Sequence, residues 1–354
     1  MATTRYGVNN AEAVKLWSKK LAHEALKKTW LNKFIGKDSN AVLQYHEDTQ
    51  KGAGDKITVI LRMLLTGAGV QGDGTLEGNE EALTTYTDSV VIDQLRHAVR
   101  SSGKMSEQRV PFSVREEARL GLEDWWSDRF DTCGFNQLCG HTAVTDTKYT
   151  GNQATVTPSS LNIVYGGTAT TEDDTVSNTG SSKITLAVID KCVEKAKTLT
   201  PRIRPIQIGG EDKYVMFLHP YQVYDLRTSS TTGQWLDIQK AVVQGGAKTA
   251  NGIFTGAMGE YNGVVMHEST RVTTGASLTV EITAVRRAVF CGAQAAHLAY
   301  GQGNSPNKWI WEEEMFDYGN QLGVAAGCIY GLKKAIYNSK DFATIVASTY
   351  AVAH

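Results

Sequence analysis

The segment from Lys56 to Arg96 limits the possible folds of this chain more than any other. Between Lys56 and Leu65 the side chains alternate, with Ile57, Val59, Leu61, Met63 and Leu65 on one side and Thr58 and Arg62 on the other. That is the period-2 pattern of a strand with one covered face. A glycine-laden stretch, Gly67 to Gly78, follows, and a second run from Thr84 to Arg96 is rich in Thr, Tyr, Val and Ile. Two strands joined by a long polar tip make an extended hairpin. Such a tip has too little apolar surface to offset the entropy lost on ordering, so it needs a partner surface.

The same segment carries a charge signature. No Lys or Arg lies between Arg62 and Arg96, while Asp73, Glu77, Glu80, Glu81, Asp88 and Asp93 accumulate. From Arg5 to Lys37 the balance reverses, with eight basic residues against Glu12 and Glu24. The net charge of -1 over 354 residues excludes the bulk nucleic-acid affinity of a strongly basic domain. A basic end beside an acidic segment instead suits two surfaces that meet between subunits.

Elsewhere the pattern is mixed. Asn10 is placed to cap a helix whose Val14, Trp17, Leu21 and Ala25 fall at helical spacing, with Gly36 as its stop. Residues 1–53 therefore read as an arm beside the main core. Ser113 and Glu116 form a capping-box pattern that opens a helix of over twenty residues, with Val114, Ala118, Leu122, Trp125 and Phe130 as its apolar stripe and Gly134 or Gly140 to end it. Thr142 to Ser182 is Thr/Ser/Asn/Gly-rich and reads as loops or a surface insertion. Ser182 is then placed to cap a helix carrying Leu186, Ile189 and Val193. Lys213–Leu218, Gly263–His267 and Leu278–Phe290 look extended, His219–Arg227 and Gln234–Val243 helical, and the tail from Trp309 strand-like. The fold class is α+β, with helices layered on antiparallel sheet.

Motifs for chemistry fail on context. Gly67-Ala-Gly-Val-Gln-Gly72 matches the dinucleotide fingerprint, the basis of an alternative nicotinamide-dependent enzyme, but Asp73 and Glu77 and two more glycines stand where a helix N-terminus should hold phosphate. Gly245-Gly-Ala-Lys248-Thr249 lacks the earlier glycine of a phosphate loop. Cys133, Cys139 and His141 do not have zinc spacing, and five scattered cysteines do not make a disulfide framework. Glu312, Glu313 and Glu314 alternate faces on a strand, and neither G-x-S-x-G nor H-E-x-x-H occurs. No catalytic, cofactor-binding or metal-binding residue is expected. No run reaches the roughly 18 to 20 apolar residues of a membrane span, and Met1–Tyr6 lacks the order of a secretory signal, so synthesis in the cytoplasm is expected.

The second half carries a resemblance. Met216-Phe-Leu-His-Pro-Tyr-Gln-Val-Tyr-Asp-Leu-Arg227, Gly252-Ile-Phe-Thr-Gly-Ala-Met-Gly-Glu-Tyr-Asn-Gly-Val-Val-Met-His-Glu268 and Arg287-Ala-Val-Phe-Cys-Gly-Ala-Gln-Ala-Ala296 occur in order, followed by Asp317-Tyr-Gly-Asn320 and Asp341-Phe-Ala-Thr-Ile-Val-Ala-Ser-Thr-Tyr-Ala351. Together they resemble the major capsid proteins of tailed bacteriophages, in the family typified by the N-four-like podoviruses. The resemblance implies the Hong Kong 97-type capsid fold. Its parts would be an arm (1–53), an extended hairpin loop (54–108), a spine helix of the peripheral domain (109–140), a surface insertion (141–181), an axial domain (182–304) and returning peripheral strands (305–354).

It also implies a virion protein, assembled in the host cytoplasm into hexamers and pentamers around double-stranded DNA, with a separate scaffolding protein and with portal and decoration proteins as further partners. The acidic tip (Asp73, Glu77, Glu80, Glu81) is then expected to meet an adjacent subunit's arm through Lys27, Lys28 or Lys33, and Lys15, Lys19 and Lys20 to face DNA. Some relatives weld the shell through a lysine of the extended loop. From Ile57 to Gly103 this chain has none, so a non-covalent shell is expected. A bacterial nanocompartment shell, which shares the fold, is the alternative.

Overall fold

The computed structural model describes residues 29–47, 54–63, 65–111, 113–228, 257–277, 279–306 and 308–354. The helix expected after Asn10, with Lys15, Lys19, Lys20, Lys27 and Lys28, lies outside them, as do Gln234–Val243 and Gly245–Thr249.

The helices in chain order are Lys104–Gln108 (α1), Val114–Cys139 (α2), Glu172–Ser177 (α3), Leu186–Thr198 (α4) and Pro220–Thr228 (α5). The strands are Ile35–Gly36 (β1), Leu43–His46 (β2), Lys56–Arg62 (β3), Thr85–Val91 (β4), Asp93–Arg100 (β5), Ile163–Tyr165 (β6), Ile206–Ile208 (β7), Glu211–Leu218 (β8) and Ala257–Tyr261 (β9). They continue with Val264–Glu268 (β10), Thr274–Ser277 (β11), Val280–Cys291 (β12), Ala296–Tyr300 (β13), Ile310–Phe316 (β14), Gln321–Lys334 (β15), Ile336–Tyr337 (β16), Lys340–Asp341 (β17) and Thr344–Tyr350 (β18).

The spine helix α2 forms for local reasons. The Ser113 side chain accepts a hydrogen bond from the Glu116 backbone N–H (3.5 Å), and 26 residues later Gly140 closes the helix in the left-handed region at φ 62°. A side chain there would meet the Val156 carbonyl oxygen at 2.6 Å. At about 1.5 Å per residue the helix runs about 39 Å. Its stripe differs from the expected one at a single tryptophan. Trp126 is fully buried against Trp309 (ring centroids 4.9 Å) and Phe130 (5.9 Å), whereas Trp125 is half-buried and stacks on His97. Trp126, four residues after Leu122, continues the face that meets the sheet. From Phe130 to Cys139 every residue but Thr132 is buried, so this end of α2 is wrapped on all sides.

Two sheets do the wrapping. In the first, the 14-residue β15 pairs antiparallel with β5, β14 and β13, and β2 and β1 extend it in parallel. The second runs β6-β18-β12-β8-β10-β9, with β7 on β8 and β11 on β12. Its central strands read as continuous apolar runs (Val215–Leu218, Ala288–Cys291) because both faces are covered. One contiguous apolar core joins α2, α4 and both sheets.

The sheets interleave along the chain. β13, within the stretch expected to be axial, belongs to the first sheet, and β18, within the stretch expected to return to the periphery, pairs with β12 in the second. The stretch 141–181 contributes to the second sheet. β6 adds in parallel to β18, and Glu172 on α3 pairs with the buried Arg287 at 2.7 Å. Ser182 does not cap a helix. It is fully buried, its carbonyl accepts from Tyr350 N–H, and Thr185 takes the N-cap position of α4 instead.

Candidate assembly surface

β3 and β4 pair in register from Lys56↔Val91 to Arg62↔Thr85. The return run expected as one strand to Arg96 is two. Ile92 N–H bonds to the Asp55 carbonyl (2.8 Å), and β5 then leaves the hairpin to pair with β15. The free hairpin is therefore 56–91.

Its base is locked into the subunit. Ile57 and Val90 pack on Ala299. Asp88, 5% exposed, forms an ion pair with Lys333 and accepts the Ile336 N–H at 3.1 Å. Charge counting placed Asp88 in the acidic segment; the structure removes it from the surface. Period-2 alternation held the clue, because Asp88 lies opposite Val59 on the face that carries Ile57 and Val90. Nearby, His297 Nδ1 lies 3.2 Å from His46 Nε2, and its Nε2 lies 3.4 Å from the Tyr337 hydroxyl. Burial first, and His46 second, push His297 down to about 4.

The distal half is not locked. Ile60, Leu65, Leu76 and Leu83 are 60–67% exposed. No helix follows Gly72; the chain returns directly into β4, so the dinucleotide motif is a hairpin tip without the phosphate-holding helix end. Glu81 folds this tip by accepting the N–H groups of Thr66 (2.7 Å) and Gly67 (2.6 Å), bonds that hold its carboxyl below the usual range. Gly67 suits the close approach, since a Cβ there would lie 2.9 Å from a Glu81 carboxylate oxygen. Glu80 accepts from Gly78 N–H. Of the four acids expected to face a neighbour, two thus shape the tip, and all four are exposed, Asp73 and Glu77 included.

Lys33 sits elsewhere. It belongs to the 3-10 turn Trp30–Phe34, which the Asp131 carboxylate fastens to α2 by accepting the N–H groups of Trp30 (2.9 Å) and Leu31 (3.0 Å). Its Nζ lies 4.5 Å from the Trp30 ring centroid and 3.3 Å from His267 Nδ1, and burial lowers its pKa. The ammonium is therefore engaged with its own subunit's aromatic groups.

The remaining sequence candidates are structural. All five thiols are free and buried. Cys133 contacts the Tyr330 hydroxyl and Cys139 the Arg287 carbonyl, and among the described residues no three His, Cys, Asp or Glu side chains gather to hold a metal. Glu313 is buried, accepting from Arg115 and from Trp311 Nε1, while Glu312 and Glu314 face solvent. No helix among the described residues is long and apolar enough to cross a membrane.

A rigid α+β body with one long, half-supported hairpin is a building block, and comparison with known proteins agrees. The family described as phage capsid protein matches residues 5–353. The chain belongs to the phage capsid protein family. The major capsid protein of Pseudomonas phage KPP25 is 31% identical over 370 residues, 93% of each chain. The capsid of Ralstonia phage GP4 superposes with a TM-score of 0.80 at 34% identity, over 99% of both chains. The capsid of cyanophage Pam1 superposes at 0.71 and 20% identity, over 100% of this chain and 95% of that one; at that distance the likeness speaks for the fold alone. This capsid protein is thus a structural, non-enzymatic virion component of the Hong Kong 97-type fold that assembles into multi-subunit shells. The family match favours this reading over the nanocompartment and the nicotinamide-enzyme alternatives.

Proposed function

We propose that the chain forms hexamers and pentamers of an icosahedral head around double-stranded DNA, with the distal hairpin lying across the neighbouring subunit. The observation that carries this reading is the set of exposed apolar side chains Ile60, Leu65, Leu76 and Leu83 beyond a locked base. Burying one such side chain is worth about 1.5–3 kcal/mol, against about 0–1 kcal/mol for an exposed ion pair. The apolar side chains therefore supply affinity, while Asp73 and Glu77 set register against basic groups such as Lys27 and Lys28 of the next arm. Closed-ring symmetry repeats each contact.

The lysine-free stretch Ile57–Gly103 supports a non-covalent shell, a reading that a ladder of covalent oligomers on a denaturing gel would overturn. Lys15, Lys19 and Lys20 would give salt-sensitive, sequence-independent contact with packaged DNA. Assembly in the host cytoplasm with a separate scaffolding protein completes the reading, and uniform shells from the chain alone at high yield would remove the scaffold. The direct test is electron microscopy of particles formed in the presence of the scaffolding protein by the chain with and without Ile60→Asp and Leu76→Asp together. Closed shells from the wild type alone support the hairpin contact. Equal shell yield from both proteins refutes it.

A further inference from the structure

A cleft of about 350 Å³ lies where the spine helix meets the second sheet, and nothing in shell assembly as described above uses it. Thr132 and Asn136 of α2, His141 just after it, His219 before α5 and Arg286 on β12 line it. Nε and Nη1 of Arg286, Oγ1 of Thr273 and Nδ1 of His141 are sealed from solvent without a hydrogen-bond partner; the His141 ring, only 5% exposed, is also held by the Thr274 backbone. More than nine in ten such buried groups are paired in native proteins. Their gathering in one cleft marks a place for a ligand that accepts hydrogen bonds.

The local charge gives the sign of that ligand. The Arg286 guanidinium is in the cleft. Arg271 donates to the Thr132 hydroxyl at 3.0 Å, and the Arg129 guanidinium lies 4.0 Å from the ring centroid of Tyr149, another lining residue. Four carboxylates stand near them: Asp128 is paired with Arg271, Asp131 also acts on Arg271, Glu172 is paired with the neighbouring Arg287, and Glu281, at the rim, accepts the Thr274 hydroxyl at 2.7 Å. Among the described residues Arg286 forms no ion pair, although the Glu281 charge acts on it. His219 Nδ1 accepts the Tyr221 N–H, so its neutral ring carries the proton on Nε2, as a donor.

We propose that this cleft binds a small oxyanion, a phosphate or a carboxylate, held by Arg286 with His141 and His219. An anion seated there would join α2 to β12 and stiffen the junction between the spine and the second sheet.

The test is calorimetric titration of the full-length chain with inorganic phosphate and, separately, with acetate, at one fixed pH and at matched ionic strength against chloride. Saturable binding is expected, weakened about tenfold or more by Arg286→Met, which removes the charge-assisted donors. If that variant does not fold, His219→Gln replaces it, with an expected loss of several-fold in affinity. Binding of phosphate but not acetate assigns a tetrahedral anion. Binding of acetate but not phosphate assigns a carboxylate, such as a side chain of a second copy. Wild type that binds neither anion, or variants that bind as tightly as wild type, would overturn the proposal.

Discussion

The two ends of the β3–β4 hairpin are built on opposite terms. At the base, Asp88 is buried against Lys333 and Ile336, and Ile57 and Val90 close on Ala299. A few residues further out, Ile60 and Leu83 are largely exposed, and the tip is ordered by its own Glu81 clasp. The subunit thus fixes the direction of the hairpin through its own core and leaves the distal apolar surface to be covered by a neighbour. Fixing the base before assembly reduces the entropy lost when the tip docks.

The largest effect should come from breaking the base. Asp88→Ala leaves the Lys333 ammonium and the Ile336 N–H without their partner, and loss of about 3–5 kcal/mol is expected in denaturant unfolding of the unassembled chain. A loss under about 1 kcal/mol would show that the base is no anchor. Acid should act on the same region. The folded chain holds His297 at about 4, so the unfolded chain, with an ordinary histidine near 6.5, binds the extra proton. Stability is then full above about pH 6.5 and falls as pH drops toward 4, by at most about 3 kcal/mol. The groups facing His297 are His46, Tyr337, Asp88 and Lys333, and His297→Gln should flatten the profile; an unchanged slope would assign it elsewhere, as to His219, also near 4.

Ile60→Ser or Leu76→Ser should separate the two ends. The unfolding midpoint of the unassembled chain should shift by no more than about 0.5 kcal/mol, while the yield of closed particles falls severalfold. If folding stability dropped as it does for Asp88→Ala, the distal half would belong to the core and the contrast would disappear. The smallest effect belongs to charge. Reversing Asp73 and Glu77 to lysine should alter the salt dependence of assembly by about 1 kcal/mol or less per pair, read from particle yield across a salt series, with folding unchanged.

Some of this was legible in the residues. Alternation from Ile57 to Leu61 foretold which side of β3 meets the core, and Ser113 with the spacing to Phe130 foretold the spine helix, because both are set within a few residues. The fate of the acids was not legible. Composition treats Asp88 and Asp73 alike, yet the first is neutralised by Lys333, 245 positions away, and the second stands in solvent. Lys33 likewise reads as one more basic arm residue until the turn around it is pinned by Asp131, about 100 positions on. The polar stretch 142–182 looked like surface because its few anchors, Glu172 and Val164, find Arg287 and β18 only in the folded chain.

The sequence by itself determined the elements that depend on near neighbours: a lysine-free hairpin, a capped helix ended by Gly140, and apolar strands in the second half that resemble phage capsid proteins. Tertiary structure alone decided how they combine. It placed β13 and β18 in exchanged sheets, turned Trp126 inward in place of Trp125, and brought Arg286 and His141 to one cleft. Local periodicity specifies which face of an element is apolar. Which distant residue covers that face, or neutralises a buried charge, is settled only when the whole core closes.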